Sequence, residues 1–208
     1  MLGIENFYLF LIAGLAVNFT PGPDMLYVTA RSVGQGRKAG LVSALAIGTG
    51  CLVHILAAAL GLSAIVGYSA TAFMIIKMAG AAYLIYLGIR TWLDAGRPVE
   101  AKEITVDPLR KVFAQGVMVD VLNPKVALFF LAFLPQFASP SSEWFTVQIV
   151  VLGLVFNTTG TIVNSMVALI AGAAGNWLKK PATQGLGWRL SGVIFMAMGL
   201  GLAVAGRD

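Results

Sequence analysis

Apolar residues run through this chain in long stretches that are apolar on all sides, without the alternation of a half-buried strand or the single stripe of a surface helix. A helix needs roughly 20 such residues to cross a hydrocarbon core about 30 Å thick. Six segments qualify: Phe7 to Val33, Gly40 to Val66, Ala70 to Leu93, Val112 to Leu134, Phe145 to Leu178 and Trp188 to Ala205. The first and fifth are long enough to bend or to overhang the bilayer. Strands of a membrane barrel would be shorter and would alternate in polarity. The pattern therefore predicts an all-α integral membrane protein of six transmembrane helices, forming one transmembrane domain over residues 1–208.

Polar punctuation divides this domain. The stretch Asp94 to Lys111 is mixed in charge and carries Pro98 and Pro108, so residues of about 94–111 read as a linker between repeat one (about 1–93) and repeat two (about 112–208). Three spans per half make the halves enter the membrane from opposite sides, the layout of two inverted three-helix repeats and a common ground plan of secondary transporters. Each half opens with a span interrupted by proline near its middle. The first contains Asn18, Phe19, Thr20, Pro21, Gly22, Pro23 and Asp24, and the fourth contains Asp120, Val121, Leu122, Asn123, Pro124 and Lys125.

Composition strengthens the membrane reading: 58% of residues are apolar and only 11% charged, against about a quarter charged in a soluble domain. The net charge of +5 does not signal nucleic acid, because the cations lie in connections. Arg31, Arg37 and Lys38 follow the first span; Arg90, Arg97, Lys102, Arg110 and Lys111 follow the third; Lys179, Lys180 and Arg189 follow the fifth. The connections at Gly67 to Ser69 and Pro135 to Trp144 contain none. The positive-inside rule then places both termini outside the cytoplasm. With no Lys or Arg before Arg31, the first apolar segment is expected to be retained and not cleaved as a signal peptide. Cys51, the sole cysteine, permits no intramolecular disulfide or thiolate cluster. Neither a metal nor another cofactor is expected, since one His, one Cys and two deep Asp make a poor ligand set.

The interruptions carry the candidate chemistry. Proline removes a backbone donor and drives the preceding residue out of helical geometry, so Thr20, Pro21, Gly22 and Pro23 should open the first span, as Asn123 and Pro124 should the fourth. Polar backbone groups freed in hydrocarbon need protein, water or a ligand. The amino end of the half-helix near Asp24 suits a carboxylate, while upstream carbonyls and an aspartate suit an ammonium or a proton. A zwitterionic amino acid offers both. The competing reading is a kink whose carbonyls are satisfied by a neighbouring Ser or Thr.

Asp120 and Asp24 are the candidate proton-coupling residues, because a carboxylate at the centre of a span needs a partner or a proton. Asp24 has the alternative of capping the resuming half-helix. Lys125 either pairs with one of these aspartates or meets a substrate carboxylate. Lys77 is expected to snorkel to the interface. The single histidine, His54, is either a proton relay or a hydrogen-bonded packing residue. Asn157 and Asn164, two turns apart with Thr161 between them, either line the cavity or bond helix to helix. Gly40, Ala44 and Gly48 on span two, and Gly80 and Gly88 on span three, read as close-packing stripes and are compatible with a homodimer. Tyr83, Tyr86, Trp92, Trp144, Trp177 and Trp188 fall mostly near span ends, where an aromatic belt is expected.

Taken together and in order, three motifs make the chain resemble the LysE/RhtB superfamily of bacterial amino-acid exporters. They are Pro21-Gly22-Pro23-Asp24 followed by Gly36, Arg37, Lys38, Ala39 and Gly40; Lys77, Gly80, Ala81, Ala82, Tyr83, Leu84, Tyr86, Leu87 and Gly88; and Asn123-Pro124-Lys125 followed by Leu128, Phe129, Phe130, Phe133, Leu134, Pro135, Gln136 and Phe137. The resemblance implies a multi-pass protein of the bacterial inner membrane that exports amino acids or close derivatives, such as homoserine, threonine, leucine or lysine, by exchange for protons. In that superfamily the position of Asp24 is Asn or Asp, which shifts the proton-carrying role towards Asp120. Only Asp24 and Asp120 lie deep, which favours neutral substrates over lysine. The alternatives are another small metabolite or a cation carried on the same scaffold and, less favoured, an intramembrane enzyme, for which no nucleophile has a histidine at a recognisable local spacing.

Overall fold

The computed structural model describes residues 3–4, 6–68, 70–93, 106–174 and 181–204, and every regular element among them is helical. The first predicted span is two helices, α1 (Phe7–Phe19) and α2 (Pro23–Gln35), inclined by 48°. The stretches expected as spans two and three correspond to α3 (Arg37–Tyr68) and α4 (Ala70–Leu93). The fourth is again divided, into α5 (Leu109–Val121) and α6 (Pro124–Leu128), the latter running on through a π-helical turn at Phe129–Phe133 and a 3-10 turn at Leu134–Phe137; the bend is 42°. The last two are α7 (Phe145–Ala174) and α8 (Pro181–Val204).

Both breaks arise where proline dictates them. Thr20 and Asn123, each preceding or bounding a proline, are extended, with φ/ψ of −72°/121° and −78°/109°, as the residue before proline must be. Pro23 and Pro124 then stand in the first turn of the next helix, where a missing N–H leaves no bond unmade. Several bounds differ from expectation: α2 ends at Gln35 and not at Val33, and α3 covers Arg37–Tyr68 and not only Gly40 to Val66. Residues 109–111, assigned to the linker, form the first turn of α5, and α8 opens at Pro181, before Trp188, again with proline at a helix start. Span four is longer than expected at both ends. The linker residues 94–105, the far end of span five (175–178), Ala205, Trp177 and the cations Arg97, Lys102, Lys179 and Lys180 lie outside the described residues.

Arg37–Gly61 and Phe145–Ala173 are each long and apolar enough to cross a membrane unaided, and each bent pair qualifies as one crossing. α4 and α8 have 24 residues each, about 36 Å of helix, and pack along each other. Their contact runs through glycine: a Cβ on Gly88 would lie 2.7 Å from the Gly192 carbonyl oxygen, and one on Gly192 would lie 2.7 Å from that of Gly88. The predicted stripes are consumed in this way inside the chain, Gly40 against Ser32 and Ala168, Gly48 against Thr161, and Gly80 against Ala132. Outward faces are apolar instead, with Ile12, Leu60, Ile75, Ile170 and Leu200 more than half exposed, the arrangement that lipid as solvent requires.

The main core is aromatic. Phe129 stacks on Phe156 of α7 at 4.2 Å between ring centroids, and Phe10 of α1 packs against Phe129 and Phe137. These rings bind α1, the π turn and α7 together. At the far end of α2 a polar cluster ties the two divided spans together. Arg31 donates to Asp107 (2.8 Å) and Gln115 (2.6 Å), Lys111 donates to Asp107 (2.7 Å), and Tyr27 donates to the Val112 carbonyl (2.7 Å). Gln35 and Asp107 complete it with a reciprocal pair of side-chain-to-backbone bonds.

The hydrogen bonds from Lys111 and Arg31 hold the Asp107 carboxyl below the ordinary value of 3.8. A carboxyl depressed by folding stabilises the fold above its unfolded pKa and loses that contribution as pH falls through the folded one. Asp107→Asn should therefore melt at a lower temperature than the wild type in detergent at neutral pH. The gap should close as pH drops below 3.8, and a gap independent of pH would refute the linkage.

Candidate functional site

The break between α1 and α2 is partly satisfied from within. Thr20 N–H turns to the Val17 carbonyl (3.1 Å), and the Ala16 carbonyl it abandons accepts the Thr20 hydroxyl at 2.8 Å. To that extent the competing reading of a kink repaired by a neighbouring Thr holds. The Thr20 carbonyl accepts from Lys125 Nζ (3.2 Å), which also donates to both Asp24 carboxylate oxygens at 3.0 Å. An ammonium has three donors, so all are used. Lys125 thus bridges the two proline breaks and, in this arrangement, holds no donor for a substrate carboxylate.

Asp24 is accordingly not a cap. The residue before α2 is Gly22, which makes no side-chain bond, and Asp24 lies in the first turn with its carboxylate turned to Lys125. Gly22 is needed for this approach: a Cβ there would stand 2.8 Å from Asp24 Oδ1 and 3.1 Å from Lys125 Nζ. In the second break the capping residue is Asn123, whose Oδ1 accepts from the Lys125 N–H (3.1 Å) while its Nδ2 is buried without a partner.

Beside the ion pair lies a polar cavity lined by Asp24, Asp120, Asn157 and Asn164 from the predicted set, and by Asn18, Ile47, Gly48, Cys51, Val126, Phe156, Gly160 and Thr161. Its volume, about 20 Å³, admits one or two waters. Residues of α1, α2, α3, α5, α6 and α7 converge there. Thr20, Pro21, Gly22, Pro23, Asn123, Pro124 and Lys125 form the broken backbone and ion pair beside the cavity without lining it.

The two aspartates stand in different circumstances. Asp24 is paired, whereas Asp120 is 1% exposed and its Oδ2 has no hydrogen-bond partner. Its backbone reaches α3 closely, since a Cβ on Gly50 would lie 2.7 Å from both Asp120 Cβ and the Val117 carbonyl oxygen. His54 Nε2 stands 2.9 Å from the main-chain carbonyl of Asp120, not from its carboxylate, and the ring stacks on Phe130. With a carbonyl as acceptor, that nitrogen carries the hydrogen, a packing geometry. His54 does not line the cavity.

Asn157 and Asn164 face the cavity, and neither forms a helix-to-helix side-chain bond among the described residues. Asn164 is 4% exposed with its Oδ1 unpartnered. Asn18, just before the first break, donates its amide hydrogens to the Phe156 carbonyl (3.3 Å) and Thr159 Oγ1 (3.0 Å), which pins α1 to α7. Its polarity inside an apolar run was the available signal. Lys77 departs from expectation: it is 5% exposed, held within the protein and not snorkelled to the surface.

Residues 15–206 match the family described as LysE type translocator. The chain belongs to that family. Two divided spans enclosing a polar cavity thus occur in a membrane transporter, and no enzymatic role attaches to it. The translocator is 29% identical over 202 residues to a homoserine/homoserine lactone efflux protein of Salmonella typhimurium, and 30% identical over 202 residues to the protein of that name in Salmonella typhi, with 97% of each chain covered in both cases. It is 31% identical over 139 residues to a leucine efflux protein of Salmonella choleraesuis, covering 65% of this chain and 64% of that one. No solved structure matches the translocator significantly.

Proposed function

We propose that this protein exports neutral amino acids or their close derivatives from the cytoplasm in exchange for protons. The observation that carries the reading is Asp120, buried with an unpartnered carboxylate oxygen and lining a cavity between two proline-divided spans. A carboxylate so placed pays desolvation without return unless a cation or proton joins it. The substrate ammonium and a proton are then alternative occupants of one site, and exchange follows from their competition. Asp24 is neutralised by Lys125, so the site offers one open carboxylate, enough for an α-ammonium and insufficient for a second, side-chain cation.

The substrate carboxylate is assigned to the first-turn amides of α2 at Asp24 and Met25, which helix geometry leaves without carbonyl partners. The cavity is smaller than any amino acid, so loading requires the walls to part. Six spans in two inverted halves rocking about the breaks would supply that motion. The distribution of basic residues orients the protein in the inner membrane with both termini outside the cytoplasm. The names of the Salmonella relatives support the same class of cargo.

Inverted membrane vesicles test this directly. Radiolabelled homoserine should accumulate when the lumen is made acidic, and an uncoupler should abolish the accumulation. Uptake equal to that of vesicles lacking the protein would overturn the assignment.

A further inference from the structure

We infer that Asn164 selects substrates that carry a hydrogen-bond donor, such as a hydroxyl, on the side chain. This deepens the amino-acid export reading and rests on it. Asn157, Thr161 and Asn164 recur on one face of α7 at helical spacing and line the cavity. They do so differently. Thr161 and Asn157 are the groups nearest the missing Cβ of Gly48, at 2.5 Å and 3.3 Å from where it would stand, so they are wedged against α3. Asn164 is 4% exposed, and its Oδ1 has no partner.

An amide oxygen buried in this way is destabilising by itself, because the water it lost on folding has not been replaced. It becomes favourable once a donor enters the cavity. Two residues from different helices that line the cavity therefore each carry an unpartnered buried acceptor, Asp120 on α5 and Asn164 on α7. The α-ammonium takes the charged one, as charge-assisted bonds are the stronger. The other is left for the side chain. The remaining walls, Ile47, Val126 and Phe156, suit the methylenes between the two groups. A hydrocarbon side chain would fit those walls and leave Asn164 orphaned, the condition under which polar sites discriminate most strongly.

The test compares two substrates of equal length in inverted vesicles carrying the full chain: homoserine, which ends in a hydroxyl, and norvaline, which ends in a methyl. The wild type should favour homoserine in competition by about 10- to 100-fold, the range set by one buried unpaired acceptor. Asn164→Leu should bring the ratio to about one or below while norvaline transport persists, and Asn164→Asp, which keeps an acceptor, should retain the preference. Parity in the wild type would overturn the inference without touching the export reading. So would an equal fall for both substrates in Asn164→Leu at normal membrane abundance, since that places Asn164 on the shared ammonium. Transport of neither substrate by the wild type would instead overturn amino-acid export itself.

Discussion

Asp120→Asn is expected to accumulate normally in the membrane and to lose proton-driven export. The substitution is nearly isosteric, so the close approach of α5 to Gly50 of α3 is preserved. It also removes a buried charge that has one unpartnered oxygen, so folding stability should be unchanged or higher. What disappears is the group for which proton and ammonium compete. Loss of a charged acceptor corresponds to about a 10- to 100-fold fall in gradient-driven uptake by inverted vesicles. Exchange of labelled for unlabelled substrate without a gradient should suffer less, because the amides at the start of α2 are untouched. Wild-type accumulation in response to an acidic lumen would remove Asp120 from the coupling mechanism. The complementary Asp24→Asn leaves Lys125 without its carboxylate and should lose stability, but the protein that reaches the membrane should retain coupling, since the Asp24 carboxylate belongs to Lys125.

The positions of the breaks were legible because proline acts on its immediate neighbours. Pro21, Pro23 and Pro124 impose the extended conformations of Thr20, Gly22 and Asn123 whatever surrounds them. The long spans were legible for a similar reason: hydropathy is additive along a segment, and α3 and α7 are long apolar helices in their own right. The partners of polar groups were not legible, because they depend on which helices meet. Lys125 finds Asp24 from 101 positions away, and Asn18 finds Thr159 from 141. The π-helical turn at Phe129–Phe133 followed by a 3-10 turn likewise has no local signal. It coincides with rings that must interlock with Phe10 and Phe156, a demand of packing and not of propensity.

Removing Lys125 should have the largest effect on stability, and the way the loss is repaired separates structure from transport. Nζ of Lys125 serves the two Asp24 oxygens and the Thr20 carbonyl, all in a buried setting. Lys125→Met would strand a carboxylate and a backbone oxygen together, a change of about 3–5 kcal/mol by analogy with other broken buried pairs. Detergent-solubilised Lys125→Met should therefore unfold at a markedly lower temperature or fail to accumulate. Replacing both partners removes the stranded charge, so the double variant Asp24→Asn with Lys125→Met should recover most of that stability. A double variant as unstable as the single one would show that the ion pair is not what Lys125 contributes. If stability returns and export returns with it, the pair is a clasp between the two proline breaks. Recovery of the fold without recovery of export would give the clasp a part in transport, as an ion pair that must open when the halves separate.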